Sequence, residues 1–237
     1  MLNIQSASMV INLITFFIAY LVAVSVSGAF RAWVAKKVGD PTAESLGFLT
    51  LNPIAHIDPL GLAILFIFYF GWGRYVPINP LFITYPHRGL KLAAAYFADV
   101  FAHLVMAILG IFILVVAFGK QVLFTTTSML LGLRMSHLYI AGAHPDSSSL
   151  MVSVAFVIVA AVYLNVVLGV LYFIRNASSL AMIALAEHSS DSQEYATFGL
   201  FILPFIIIWF FFQPLLVFTV NLISVAGYLM AWLLGIA

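Results

Sequence analysis

The sequence predicts an all-α polytopic membrane protein, and two observations carry that prediction: its composition and the lengths of its apolar runs. Of 237 residues, 65% are hydrophobic and only 7% are charged, with a mean hydropathy of +1.17. A soluble domain carries about 25% charged residues, so this chain is too poor in charge to cover a water-facing surface. That excludes a soluble enzyme, a disordered tail and a nucleic-acid binder. The formal net charge of +1 is too small to imply an anionic partner. Without a cysteine there is no disulfide framework, thiolate metal site or cysteine nucleophile.

A spanning helix needs about 20 mainly apolar residues to cross about 30 Å of hydrocarbon. The first run lies within residues 9–38. It has no Lys, Arg, Asp or Glu before Arg31, whereas a cleavable signal peptide would carry a basic leading segment; this run is therefore expected to stay as a helix. The second run, residues 60–72, has only thirteen residues. The third, 90–118, and the fourth, 150–174, are long enough to span. Residues 198–237 form a last apolar stretch, broken by Pro204 and by Gln213-Pro214. It suits an interfacial piece plus a span, or a tight hairpin. The expected division is a membrane core over 1–197 and a C-terminal membrane helical segment over 198–237.

Polar connections separate the runs. Residues 36–59 and 71–89 are rich in Gly, Pro, Asn and Asp. Alternation at 46–51 and 75–78 suggests short strands, hence small β loops. Residues 187–195 form an acidic loop, and 123–139 suit an amphipathic interfacial helix.

The thirteen-residue run decides the topology. If it is re-entrant, the two Pro/Gly-rich loops share one end of the molecule. That end then gathers Arg31, Lys36, Lys37, Arg74, Arg88, Lys91 and Arg175, leaving Lys120 and Arg134 opposite. An incomplete helix is allowed where protein covers it, and the positive-inside rule makes the basic end cytoplasmic with a non-cytoplasmic N-terminus.

Three segments carry a family resemblance. They are Ala32-Trp-Val-Ala-Lys-Lys-Val-Gly-Asp-Pro-Thr-Ala43, Leu49-Thr-Leu-Asn-Pro-Ile-Ala-His-Ile-Asp-Pro-Leu-Gly61 and Phe70-Gly-Trp-Gly-Arg-Tyr-Val-Pro-Ile-Asn-Pro80. Over roughly residues 20–180 the chain resembles the site-2 protease (M50) family of intramembrane zinc metalloproteases. The resemblance implies a core of three spanning helices, with the protease motifs near the cytoplasmic ends of the first and third.

The family's chemistry needs a His-Glu-x-x-His on the first core helix, where two His one turn apart hold zinc and the Glu acts as general base. In register with Ala32-Trp33, the His, Glu and His positions are Ser27, Gly28 and Arg31. The third ligand, an Asp followed by Gly, falls in register from Asn165 on Ala181 and Met182. The Pro-rich approach to it reads Arg175-Asn176-Ala177-Ser178-Ser179, and the family's Ala-Gly-Pro step on the middle helix is replaced near Tyr96-Phe97-Ala98. Zinc catalysis requires three protein ligands and an activated water. No His-x-x-x-His occurs anywhere in the chain. The resemblance therefore implies a pseudoprotease, with no metal, no cofactor and no catalytic residue.

Other polar residues keep a structural reading beside a chemical one. Asp99 and His103 are one turn apart on one helix face, and an ionisable pair at membrane depth is a functional candidate. The structural reading is a mutually hydrogen-bonded pair between packed helices; the chemical ones are a proton relay or a metal site. Asn52, His56 and Asp58 match family loop positions, and the Asn-Pro and Asp-Pro steps are turn formers. Arg31 is expected to snorkel to the interface, with Glu44 and Asp58 as alternative ion partners. Asn176-Ala-Ser178 is a formal glycosylation acceptor that a cytoplasmic location would leave unused.

The expected role is a non-catalytic structural or assembly subunit, packed stably against other integral membrane proteins and lipid, with no nucleic acid. The alternatives are a regulator that holds client membrane proteins in the old substrate groove, and an enzyme or transporter with a new site at Asp99 and His103. The expected location is a prokaryotic inner membrane, with an organellar inner membrane as the alternative.

Overall fold

In a computed structural model of the chain, the structure describes residues 4–118, 149–186, 217–218 and 221–235. The expectations for 123–139, for the acidic loop at 187–195 and for Pro204 and Gln213-Pro214 fall outside the described residues.

The protein is an all-α polytopic membrane protein. Three long helices, α1 (Ile4–Lys37), α5 (Arg88–Phe118) and α6 (Ser149–Ala186), pack against one another. Each contains a stretch apolar enough to cross a bilayer: Met9–Lys37, Arg88–Phe118 and Ser153–Ala184. Between α1 and α5 lie three shorter helices, α2 (Thr42–Ser45), α3 (Pro53–His56) and α4 (Pro59–Phe68). A further apolar helix, α7 (Asn221–Leu233), lies against the bundle through Ile223 and Ala231.

Packing divides the long helices into a protein face and a lipid face. Phe16 and Tyr20 of α1 and Phe156 and Tyr163 of α6 are essentially fully buried. The Phe16 ring meets Tyr69, Phe156 and Tyr163 edge-on, the geometry that aromatic quadrupoles favour. Ile14, Ile18 and Val22 of α1 and Leu104, Ile108 and Phe112 of α5 face outward. A membrane solvates such side chains, whereas water would not.

At ten residues, α4 is about 15 Å long and too short to span. Its start is fixed by chemistry legible in the sequence. Asp58 accepts the Gly61 N–H at 2.8 Å, and Pro59 occupies the first turn, where its missing N–H costs nothing. Asn52 and Pro53 do the same for α3, with Asn52 Oδ1 accepting the Ile54 N–H at 3.1 Å. The residues read as turn formers are thus helix caps. The chain then returns closely past α4: a Cβ at Gly61 would overlap the Trp72 carbonyl.

The two Pro/Gly-rich connections share one end of the bundle, as the re-entrant reading requires. Buried Asp40 in the first accepts N–H bonds from Thr42 at 2.9 Å and, in the second, from Asn79 at 2.7 Å. The Arg74 N–H donates to the His56 carbonyl at 2.7 Å.

The expected strands at 46–51 and 75–78 do not form; one isolated bridge, Ile57 to Gly73, is the β pairing among the described residues. At 46–51 the backbone closes local turns instead, the Leu46, Gly47 and Phe48 N–H groups donating to the Thr42, Glu44 and Ala43 carbonyls; in the second loop, side chains of the long helices take backbone groups at 72–76. Tyr172 Oη accepts from the Gly73 N–H at 3.0 Å, Tyr20 Oη donates to the Trp72 carbonyl at 2.9 Å, and Arg31 Nε donates to the Val76 carbonyl at 3.1 Å. Those bonds occupy backbone groups that a partner strand would otherwise pair with.

Candidate functional site: a charged cluster between the three long helices

The loop end of the bundle holds a small cleft at the meeting point of α1, α5 and α6. Ser27, Gly28 and Arg31 of α1, Gly73, Arg74 and Val76 of the second loop, Asp99 of α5, and Tyr172 and Arg175 of α6 line it. All three positions expected to correspond to the family's His-Glu-x-x-His therefore stand here.

Arg31 does not snorkel; it is 1% exposed. Its Nη1 donates to Asp99 Oδ2 at 2.7 Å, to Asn176 Oδ1 at 3.1 Å and to the Tyr96 carbonyl at 3.1 Å. The reason is competition: a buried carboxylate and three carbonyls within reach, those of Tyr96, Val76 and the Asn176 side chain, replace the headgroup water that snorkelling would provide. The other expected partners are taken, Glu44 by Lys36 and Asp58 by the α4 cap. Tyr75 and Tyr96 add ring faces at 5.2 and 5.4 Å from the Arg31 guanidinium carbon.

Asp99 is the hub. Its Oδ2 also accepts from Arg175 Nη2 at 2.9 Å, and its Oδ1 accepts from Asn176 Nδ2 and from the Val100 N–H, each at 2.8 Å. Arg175 packs on the rings of Tyr172 and Tyr75, at 4.3 and 5.0 Å. One carboxylate thus ties α1 to α6 through two arginines and an amide.

Asp99 and His103 share a face of α5, as their spacing requires, but they do not form the expected mutual pair. His103 bonds instead to Asn165, Nδ1 to Oδ1 at 2.8 Å. Asn165 Nδ2 donates to the Ala161 carbonyl, which orients the amide and makes Nδ1 of His103 the donor. Nε2 of His103 then carries a bare lone pair and has no partner.

His56 is also buried. Its Nε2 lies 2.8 Å from the Thr50 carbonyl, so Nε2 bears the proton and Nδ1 the lone pair. That Nδ1 has no partner and abuts Gly28: a Cβ at position 28 would overlap it. Burial pushes the His56 imidazole below its ordinary value; the Thr50 hydrogen bond opposes this and the charge of Arg74 adds to it.

These residues do not fit a zinc ion. The two α1 positions expected to correspond to histidines are a serine, whose hydroxyl is turned onto the Ala23 carbonyl at 2.8 Å, and a permanently charged guanidinium. The expected base position is a glycine against which an imidazole is packed. Ala181 is exposed and does not line the cleft. Arg175 of α6 lines the cleft, and buried Asn176 bonds to Arg31 and Asp99 behind it; the sequence offers Arg175 as one of the basic residues of the loop end and Asn176 as part of a glycosylation triplet. Among the described residues, no three His, Asp or Glu side chains come together as a metal-holding group.

The chain is 38% identical over 108 residues to the Bacillus subtilis (strain 168) protein named "Putative zinc metalloprotease YwhC". The match covers 45% of this chain and 48% of that protein, so the chain spans about half the length of the curated relative it matches. No family model matches the chain, and no solved structure matches it. The similarity supports a site-2-protease-like relation. It sits beside a cleft that carries guanidinium groups where that relation leads one to expect ligands.

Proposed function

We propose that the chain is a non-catalytic relative of the site-2 proteases that works as a structural or assembly subunit of a membrane protein complex. The single observation behind this reading is the charged cluster. Arg31, Asp99, Arg175 and Asn176 occupy the position where the resemblance would place zinc chemistry, and they join three helices there. A cluster of that kind suits a scaffold, because it holds helices in register and offers no ligand set for a metal.

Its partners are other integral membrane proteins, contacted through the outward apolar surface. The face of α7 that carries Val225, Leu229 and Trp232 is exposed and adds to that surface. In lipid, helix association depends on close packing and a few interhelical hydrogen bonds, which such a surface can supply without any catalytic group. The loop end faces the cytoplasm on this reading, consistent with its basic residues, and the C-terminal segment from 198 onward is the main contact region.

The test is gentle detergent extraction of the native chain, followed by size measurement and identification of what copurifies. A stoichiometric membrane-protein partner is expected, with replacement of Val225, Leu229 and Trp232 by Ala weakening its recovery. A chain that is monomeric in its own membrane and cuts a membrane substrate would overturn the reading.

A further inference from the structure

The cleft between α1, α5 and α6 has an excess of positive charge that the protein itself does not neutralise. Three guanidinium groups, Arg31, Arg74 and Arg175, line it against one carboxylate, Asp99. That carboxylate is already fully engaged, by Arg31 and Arg175 on one oxygen and by Asn176 and a backbone N–H on the other. Arg31 is 1% exposed, yet its Nη2 has no hydrogen-bond partner. A buried guanidinium N–H left unpaired is costly, and the single carboxylate offsets only one of the two guanidinium charges that share it.

We infer that this cleft is a binding site for a small oxyanion, of which one oxygen enters beside Arg31 while the remainder meets Arg74 and Arg175 at the mouth. The enclosed space is about 10 Å³, the volume that one water-sized group requires. A water there would satisfy the N–H of Arg31 but leave the charge excess untouched; an anionic oxygen does both. Guanidinium groups present paired N–H donors suited to carboxylate and phosphate oxygens. The mouth is also accessible. Arg74 is exposed while its backbone is pinned to the His56 carbonyl at 2.7 Å, and the Arg175 side chain is 26% exposed. The anion can come from solution or from a lipid headgroup, since a phosphate oxygen is common to both. The inference does not depend on the scaffold reading, because the charge excess exists whatever the protein assembles with.

The test uses the full chain, purified in a neutral detergent, with inorganic phosphate as the probe and sodium chloride as the ionic-strength control. Equilibrium dialysis should show saturable phosphate binding, and thermal unfolding should shift upward with phosphate but not with matched chloride. Arg74→Gln, an exposed substitution, should weaken phosphate binding about tenfold, the loss of one charge-assisted contact, and Arg74→Lys should keep most of it. If phosphate is inert but nanodiscs of phosphatidylglycerol raise the unfolding temperature over phosphatidylcholine, and Arg74→Gln removes that difference, the site takes its oxyanion from lipid. No response to either probe, a response equalled by chloride, or a response unchanged in Arg74→Gln overturns the inference.

Discussion

Two polar sites sit one turn apart on the same face of α5, and the helix bundle treats them differently. At Asp99 the neighbours are charged: two arginines and an amide converge on one carboxylate. At His103 everything is neutral: one imidazole N–H, one amide oxygen, and an aromatic edge from Tyr172 at 5.2 Å. The first site lies toward the loop end, where Arg74 and the backbone carbonyls of the second loop supply further polar atoms. The second lies deeper among apolar helix faces, where a charge would have no such company. Depth in the bundle thus sorts two residues that spacing alone makes equivalent.

The largest effect is expected at Asp99. Asp99→Asn keeps the shape but turns one of the two acceptor oxygens into an N–H donor and removes the charge that offsets Arg31 and Arg175. Breaking a buried pair by removing one partner costs about 3–5 kcal/mol, and Arg31, 1% exposed, would stay buried without its carboxylate. Denaturation by a graded anionic detergent, compared with the parent chain, should read a loss of that order. A loss no greater than the one at His103 would mean that charge is not what separates the two sites.

How much of this could be read in the sequence differs by kind of residue. The three spans were legible, because apolar length is a property of the chain alone. The Asn52-Pro53 and Asp58-Pro59 steps were legible as local punctuation, though they turned out to cap helices and not merely to turn the chain. The shared loop end followed from a thirteen-residue run and a charge imbalance, and the Asp40–Asn79 bond bears it out. The partners of Asp99 were not legible. Arg31 and Arg175 are 68 and 76 residues away in sequence, and no local pattern joins them. Helical spacing offered His103 as the neighbour, and packing between helices overruled it. The strand expected at 75–78 failed for a related reason: Tyr20, Arg31 and Tyr172 reach the 72–76 backbone from distant helices, which alternation within the loop cannot reveal. One weak signal was available for the cluster, an Arg-Asn pair directly after the apolar fourth run.

A smaller effect is expected where the charged cleft meets a neutral histidine. Gly28→Ala puts a methyl against Nδ1 of His56, and overpacking of a filled site costs about 1–3 kcal/mol. Combining it with His56→Ala, which clears the space, should cost less than the sum of the two single changes, as residues in contact are non-additive. Additive losses would show that the imidazole is free to move aside. The same contact explains why installing His, Glu and His at positions 27, 28 and 31, with Asp at 181, should not create a protease: a glutamate at 28 has no room until His56 leaves.

The effect at His103 is expected to be smaller again. His103→Phe keeps a ring against Tyr172 and removes the bond to Asn165. Interhelical hydrogen bonds measured in a membrane protein average about 0.6 kcal/mol, with a maximum of about 1.7. The same detergent titration should read a loss in that range, and Asn165→Leu added to it should recover part of the loss by removing the stranded amide. A loss approaching that of Asp99→Asn would erase the contrast between the charged and the neutral site.

The smallest effect concerns protons at His56, which lies outside the spanning segments and whose imidazole is held below its ordinary value by burial. An unfolded histidine titrates near about 6.5. As pH falls through that value, the unfolded chain takes up the proton first while folded His56 stays neutral. Stability from this residue is therefore complete above about 6.5 and declines as pH falls toward the folded value, at no more than about 1.4 kcal/mol per pH unit. The physical reason is local: a proton on Nδ1 would place a donor against Gly28, where no acceptor stands, and would add a positive charge near Arg74. His56→Gln can keep the bond to the Thr50 carbonyl without titrating. Other histidines and the carboxylates are common to both chains, so the difference in stability between parent and His56→Gln isolates this one group. That difference should fall between pH 7.5 and pH 5 (a range chosen to bracket the ordinary histidine value of about 6.5). A flat difference would mean that His56 binds its proton equally well in both states, and the neutral half of the comparison would then rest on His103 alone.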